Sequence, residues 1–115
     1  MDSLNYIHSD DLREKWPVYS IEYQMGNIGS EVSRALKWHD KNPSRADKAI
    51  DRALELFDLT ISANKDNAPR LREVLIAREE FCDYFFGGNS WHTDPNIMQK
   101  YYDGFSMMMA LKPAD

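Results

Sequence analysis

The chain has 115 residues, of which 43% are hydrophobic and 29% are charged, so it suits one folded domain and not a disordered chain. Its net charge of −5 argues against broad binding to a phosphate backbone, and nucleic acid is therefore not an expected partner. A single cysteine excludes an internal disulfide. With no secretory signal and no apolar run long enough for a membrane span, the sequence predicts a cytoplasmic protein that does not enter a membrane.

Residues 1–17 predict either a loose N-terminal arm or a short helix. Ser9 is a suitable N-cap for a turn that begins with Asp10 and Asp11. Pro17 would end such a helix at Trp16, because the residue before a proline avoids the helical region. Residues 18–112 are expected to form a single helical domain.

The first long helix is predicted between Val18 and about Asp40, where core-side residues recur at spacings of four and three. These residues are Ile21, Met25, Ile28, Val32, Ala35 and His39. Gly26 and Gly29 each weaken a helix by about 1 kcal/mol relative to alanine. The helix therefore begins either near Val18 or only near Asn27, unless the glycines allow a neighbouring helix to approach closely.

A second helix is predicted from Pro43 to about Ala63. Asn42 is a good cap, and Pro43 fits the first helical position because that position needs no N–H donor. The central apolar stripe of this helix contains Ala46, Ile50, Ala53, Phe57 and Thr60.

A third helix is predicted over the stretch Pro69–Gly88, which ends in two glycines suited to a left-handed cap. One stripe at spacings of three and four contains Leu71, Val74, Leu75, Arg78, Phe81, Cys82 and Phe85. Arg78 lies near the centre of that stripe, where a guanidinium needs an acceptor. It predicts a side chain that extends to solvent at the edge of the bundle, a buried ion pair, or a site that binds a carboxylate or phosphate. The candidate acids for the pair are Glu31, Glu55 and Asp58.

The last helix is predicted to begin at Pro95, capped by Asp94, and to end near Lys112. Its apolar face contains Ile97, Met98, Tyr101, Phe105, Met108 and Met109. Trp91 and His92 lie in the preceding loop, and loops carry binding residues more often than helix cores do. This pair predicts a small loop pocket or an interface, although Trp91 could also simply anchor the loop.

The connections between these helices are short, which favours antiparallel neighbours. The predicted fold is therefore an all-α, antiparallel up-down four-helix bundle, with the N-terminal segment as a candidate fifth helix. Helical bundles that bind two irons use Glu-x-x-His pairs, and no glutamate in this sequence is followed three residues later by histidine. We therefore expect no metal and no other cofactor.

Arg34 and His39 resemble the Arg-x4-6-His pair of HEPN-type ribonucleases, which are small helical bundles. This resemblance implies a ribonuclease in which Arg34 and His39 are catalytic. On a helix the two side chains would point about 140° apart, with His39 toward the core and Arg34 toward solvent.

A broader resemblance covers about residues 27–105. The segments that carry it are NIGSEVSRALKW, RALELFDLT, RLREVLIAREEFCDYFFGGN and QKYYDGF. They resemble a family of small uncharacterised prokaryotic helical proteins. The resemblance implies a helical bundle from a prokaryote and carries no catalytic residue to this chain.

The favoured function is a non-enzymatic interaction or accessory protein that acts through helix–helix contacts, as a homodimer or with another protein. The reason is an excess of apolar side chains that fall outside the predicted core stripes or at their edges. They are Leu59, Ile76, Ala77, Tyr84, Phe86 and Tyr102. The alternatives are the ribonuclease and a small-ligand carrier. A carrier would have a cavity lined by Met25, Trp38, Trp91 and residues 107–109.

Overall fold

The computed structural model describes residues 10–111, and within that range every regular element is helical. A short helix and a single 3-10 turn precede four long helices. They are α1 (Asp10–Lys15), the 3-10 turn (Trp16–Val18), α2 (Ile21–Trp38), α3 (Pro43–Ala63), α4 (Ala68–Phe86) and α5 (Pro95–Leu111). The prediction of an all-α protein is confirmed. The predicted cap at Ser9 lies outside the described residues.

Each of the four long helices begins at a polar residue whose side chain accepts a backbone hydrogen bond from the first turn. Ser20, Asn42 and Asn67 each accept a hydrogen bond from the backbone N–H three residues further on. The carboxylate of Asp94 accepts the N–H of Asn96 at the start of α5. Each cap of this kind stabilises a helix by about 1 kcal/mol. The residues at the helix starts therefore determine locally where these helices begin.

Helix α2 begins at Ile21, between the two starts that the sequence left open, and its glycines do not interrupt it. Both glycines lie where α5 crosses α2. A Cβ atom added to Gly29 would collide with Tyr102, and one added to Gly26 would press against Ser106. The absence of side chains at these glycines therefore allows α5 to pack close to α2.

Helix α2 lies at the centre of the molecule, with α3 packed on one side and α5 on the other. Helix α4 packs against α3, whereas the backbones of α4 and α5 come close at few points. The side chains that fill the core come from all four long helices and from the 3-10 turn. The largest of them are Trp16, Tyr102, Phe57, Phe81, Met25, Ile28 and Met98.

Trp16 joins the N-terminal segment to this core. Its indole N–H donates to the hydroxyl of Thr60 at 2.9 Å, and its carbonyl accepts from the amide of Gln24 at 2.8 Å. The amide of Asn64 donates in turn to Gln24 at 3.0 Å. Of the two alternatives for the N-terminal segment, residues 10–15 adopt the short helix, and the turn behind it is firmly packed.

The buried face of α4 overlaps the stripe that the spacing predicts but does not coincide with it. Val74, Ala77 and Phe81 are buried, whereas Leu75 is 42% exposed. The placement of Leu75 in the core was therefore wrong, as was that of Ala77 outside it. The core-facing direction is set by the neighbours α3 and α5, and a helix with apolar residues on several faces offers more than one stripe. Tyr102, expected at an edge, is fully buried against Gly29 for the same kind of reason.

Candidate interaction surface

Exposed apolar side chains gather on α4, on α5 and on the loop between them, a region that we call the α4–α5 surface. Those that are large and well exposed are Leu75, Ile76, Phe86, Trp91, Ile97, Met107, Met108, Met109 and Leu111. Within residues 10–111, Val18 is the other large hydrophobic residue of similar exposure. Helices α2 and α3 carry no large apolar side chain of this exposure. Exposed apolar side chains mark an interaction site when they lie together.

The outer face of α4 combines apolar and charged residues in a simple order. Leu75 and Ile76 are 42% and 52% exposed. Arg72 lies one turn before them and Glu79 one turn after them, on the rim of a shallow depression of about 300 Å³. Within the described residues, the side chains of Arg72 and Glu79 form no hydrogen bond and no ion pair with the rest of the chain.

Beside this face lies an open cleft of about 340 Å³ between α4 and α5. It is lined by Pro69, Arg72, Glu73, Ile76, Ala77, Glu80 and Tyr101. The hydroxyl of Tyr101 donates to Glu73 at 2.8 Å, and the hydroxyl of Thr93 donates to Glu80 at 3.1 Å. Burial, and then the hydrogen bond to Glu73, raise the pKa of Tyr101 above its ordinary value. The hydrogen bond from Tyr101 of α5 to Glu73 of α4 links the two helices across the cleft.

Arg78 lies at the boundary between α3 and α4, where Asp58 is the acid that it reaches. Its Nε atom is 3.4 Å from the Asp58 carboxylate without hydrogen-bond geometry, and its Nη1 atom is 3.8 Å from the sulfur of Cys82. The Arg78 and Asp58 side chains are 36% and 66% exposed. The contact is therefore a partly exposed ion pair and not a buried one.

The other two acids considered for Arg78 have different partners. Glu31 pairs with Arg34 at 3.0 Å, one turn along α2. Glu55 pairs with Arg13 of α1 at 3.4 Å. These pairs reinforce α2 and the packing of the N-terminal helix, and neither brings an acid toward Arg78.

Arg34 and His39 contact different parts of the molecule. Arg34, paired with Glu31, lines a groove between α2 and α5 that also includes Asp103. His39 is the C-cap residue of α2, and its ring lies 5.3 Å from the ring of Phe85 near the end of α4. The expectation that His39 faces the core is wrong, because the helix ends there and leaves the residue exposed.

The loop that contains Trp91 and His92 is organised by Asp83. The carboxylate of Asp83 accepts hydrogen bonds from the hydroxyl and N–H of Ser90 and from the N–H of Trp91. The hydrogen bond from the Ser90 hydroxyl, followed by that from the Trp91 N–H, holds the pKa of Asp83 below its ordinary value. The Trp91 and His92 side chains are exposed and do not line the α4–α5 cleft. Sequence reasoning did not assign this role to Asp83, because its partners become neighbours only when the loop folds back on the end of α4.

The residues proposed for a ligand cavity do not line one cavity. Met25 is fully buried in the core. The sulfur of Met109 lies 3.9 Å from the hydroxyl of Ser20 at the N-cap of α2, whereas Trp38 is the last residue of that helix. These two ends are about 27 Å apart, at about 1.5 Å per residue for 18 residues.

Two further observations concern metals and membranes. Among residues 10–111, no group of three or more His, Cys, Asp and Glu side chains lies close enough to hold a metal ion. No helix in the described range combines the length and the hydrophobicity that crossing a bilayer requires.

Comparison of the chain with family models, with curated proteins and with solved structures found no match in any of the three. The resemblance to small prokaryotic helical proteins and the resemblance to HEPN-type ribonucleases therefore stay predictions.

Proposed function

We propose that this protein is a non-enzymatic interaction protein that associates as a homodimer through helix–helix contacts at its α4–α5 surface. In this proposal the four long helices form an antiparallel up-down bundle. The outer face of α4 contacts the partner. The observation that carries the proposal is the concentration of exposed apolar side chains on α4, α5 and their loop.

Burial of this surface supplies the driving force. Removing apolar surface from water stabilises a complex by about 25 cal/mol per Å² before the losses of motion on association are subtracted. Ile76 and Leu75 are held on a regular helix, so they lose little backbone freedom on binding. Charged residues beside them, Arg72 and Glu79, give the surface the polar components that fix orientation.

The test replaces the two central apolar residues of α4 and measures the molecular mass in solution. In the double variant Leu75→Glu, Ile76→Glu, we expect sedimentation equilibrium to change from dimer to monomer, because two charges would face the partner. The fold should persist, since both side chains are already about half exposed in a single chain. The matched control is Val18→Glu, at an exposed apolar residue that belongs to the 3-10 turn and not to α4. A monomeric wild-type protein, or an equal effect of Val18→Glu, contradicts the proposal.

The α4–α5 cleft favours a second candidate function, the binding of a small molecule. Its volume of about 340 Å³ lies within the usual range of ligand sites, and its lining is mostly apolar with a few polar groups. Native mass spectrometry of protein purified without added ligand separates the two candidates. A bare dimer supports the interaction protein, and a species that carries additional mass supports the ligand site.

A further inference from the structure

We infer that the two copies pack with their α4 helices antiparallel, across a twofold axis that passes between Leu75 and Ile76. This inference rests on the proposed function and specifies the contact and its register. It follows from the order of four residues on the outer face of α4, which is arginine, leucine, isoleucine, glutamate at positions 72, 75, 76 and 79.

The positions of the two charges are symmetric about the proposed axis. Arg72 precedes the midpoint of Leu75 and Ile76 by as many residues as Glu79 follows it. A helix rises about 1.5 Å per residue, so each charged residue lies about 5 Å along the helix from that midpoint. In an antiparallel pair centred there, Arg72 comes opposite the partner's Glu79, and Glu79 comes opposite the partner's Arg72.

The apolar residues fit the same arrangement. At the centre of the pair, Leu75 meets the partner's Ile76, and Ile76 meets the partner's Leu75. Both residues are about half exposed in the single chain, and their burial would complete the outer side of α4. One surface patch thus matches itself after a twofold rotation, which is the requirement of a symmetric homodimer.

The charge pattern selects this orientation over a parallel one. A parallel pair in register would place Arg72 against a second arginine and Glu79 against a second glutamate, and like charges in an interface are strongly unfavourable. Within residues 10–111, neither side chain has an ion-pair partner that it would need to leave. The outer face of one helix is smaller than the about 800 Å² per partner of a standard interface, so we expect a dissociation constant on the order of micromolar.

The test uses single charge reversals and their mixture. The variant R72E carries two acids on this face and E79R carries two arginines. In homodimers of either variant, like charges would therefore oppose each other at both positions. We expect each reversal to raise the dissociation constant of the homodimer by about tenfold or more. In an equimolar mixture, every arginine of E79R would oppose a glutamate of R72E, so a heterodimer should form. The double variant R72E/E79R should dimerise again.

Native mass spectrometry distinguishes these species, because the two variants differ in mass and a heterodimer has a mass of its own. Circular dichroism confirms that each variant is folded, and the control K48E reverses a charge at an exposed position of α3. A mixture that does not form the heterodimer overturns the inference. So does wild-type dimerisation that resists both charge reversals but is lost in the Leu75→Glu, Ile76→Glu variant, although the proposed function then stands. A wild-type protein that is monomeric well above micromolar concentration overturns both.

Discussion

Trp16 and Thr60 form the contact that ties the N-terminal segment to the core. The indole N–H of Trp16 donates to the Thr60 hydroxyl at 2.9 Å, and both side chains are fully buried. Thr60→Val keeps the shape of the side chain but leaves the buried indole N–H of Trp16 with no acceptor. We expect the free energy of unfolding in urea to fall by about 1–3 kcal/mol.

The control for this prediction is Thr60→Ser, which retains the hydroxyl group and removes a methyl group. Its loss of stability should reflect packing alone, and the N-terminal helix should remain docked. If Thr60→Val unfolds at the same urea concentration as the wild-type protein, the hydrogen bond from Trp16 contributes nothing measurable.

Asp83 gives the loop before α5 a defined dependence on pH. Hydrogen bonds from Ser90 and Trp91 lower the pKa of this carboxyl. A group with a depressed folded pKa stabilises the fold above its unfolded pKa, about 3.9, and this stability is lost as pH falls through the lower folded pKa. We therefore expect the NMR chemical shifts of the Ser90 and Trp91 amide protons to titrate with a midpoint below about 3.9.

The substitution Asp83→Asn removes the titrating group, so this transition should disappear while the rest of the spectrum stays folded. Asp47→Asn, at an exposed position of α3, is the matched control and should leave the transition in place. A midpoint at or above the ordinary aspartate value would show that Ser90 and Trp91 do not stabilise the carboxylate.

Gly29 and Gly104 test how closely a neighbouring helix approaches a glycine. Both lie inside long helices, but a Cβ at Gly29 would collide with Tyr102, whereas a Cβ at Gly104 would meet open space. Gly29→Ala should lower the free energy of unfolding by about 1–3 kcal/mol through overpacking. Gly104→Ala should instead raise it by up to about 1 kcal/mol, because alanine favours the helix. Thermal unfolding of the two variants measures both effects, and equal shifts in the same direction would contradict the close crossing of α2 and α5.

The positions of the helices could be predicted from the sequence, but the face that α4 buries could not. Asn42, Pro43, Asp94 and Pro95 act within one helical turn, so their sequence positions suffice to place the starts of α3 and α5. Which face of α4 is buried depends on where α3 and α5 lie. Leu75 and Ala77 were therefore assigned to the wrong sides.

The candidate site, too, could be predicted only in part from the sequence. Ile76 and Phe86 were expected outside the core stripes, and both are exposed. Arg72, Glu79 and Asp83 carried no signal in the periodic pattern. The role of Asp83 depends on loop residues that the folded chain brings close to it. The roles of Arg72 and Glu79 depend on the exposure of Leu75 and Ile76 between them, which the packing of α4 decides.

At the scale of the whole molecule, α2 is enclosed by its neighbours and α4 is not. Helix α2 packs between α3 and α5, whereas α4 packs on α3 and meets α5 at few points of the backbone. The outer side of α4 and the open cleft beside it are the consequence. A second copy of α4 would cover this side of the molecule, which is why we assign the contact between copies to it.

Hydrogen exchange of the wild-type protein, measured by mass spectrometry well below and well above the expected dissociation constant, tests the proposed homodimer at α4 most directly. We expect exchange in Ala68–Phe86 to slow at the higher concentration, because pairing of the two helices suppresses their local opening. Exchange in Pro43–Ala63, which is not part of the proposed contact, should change less. Exchange in α4 that is independent of concentration, or slowing confined to α3, would contradict the assignment.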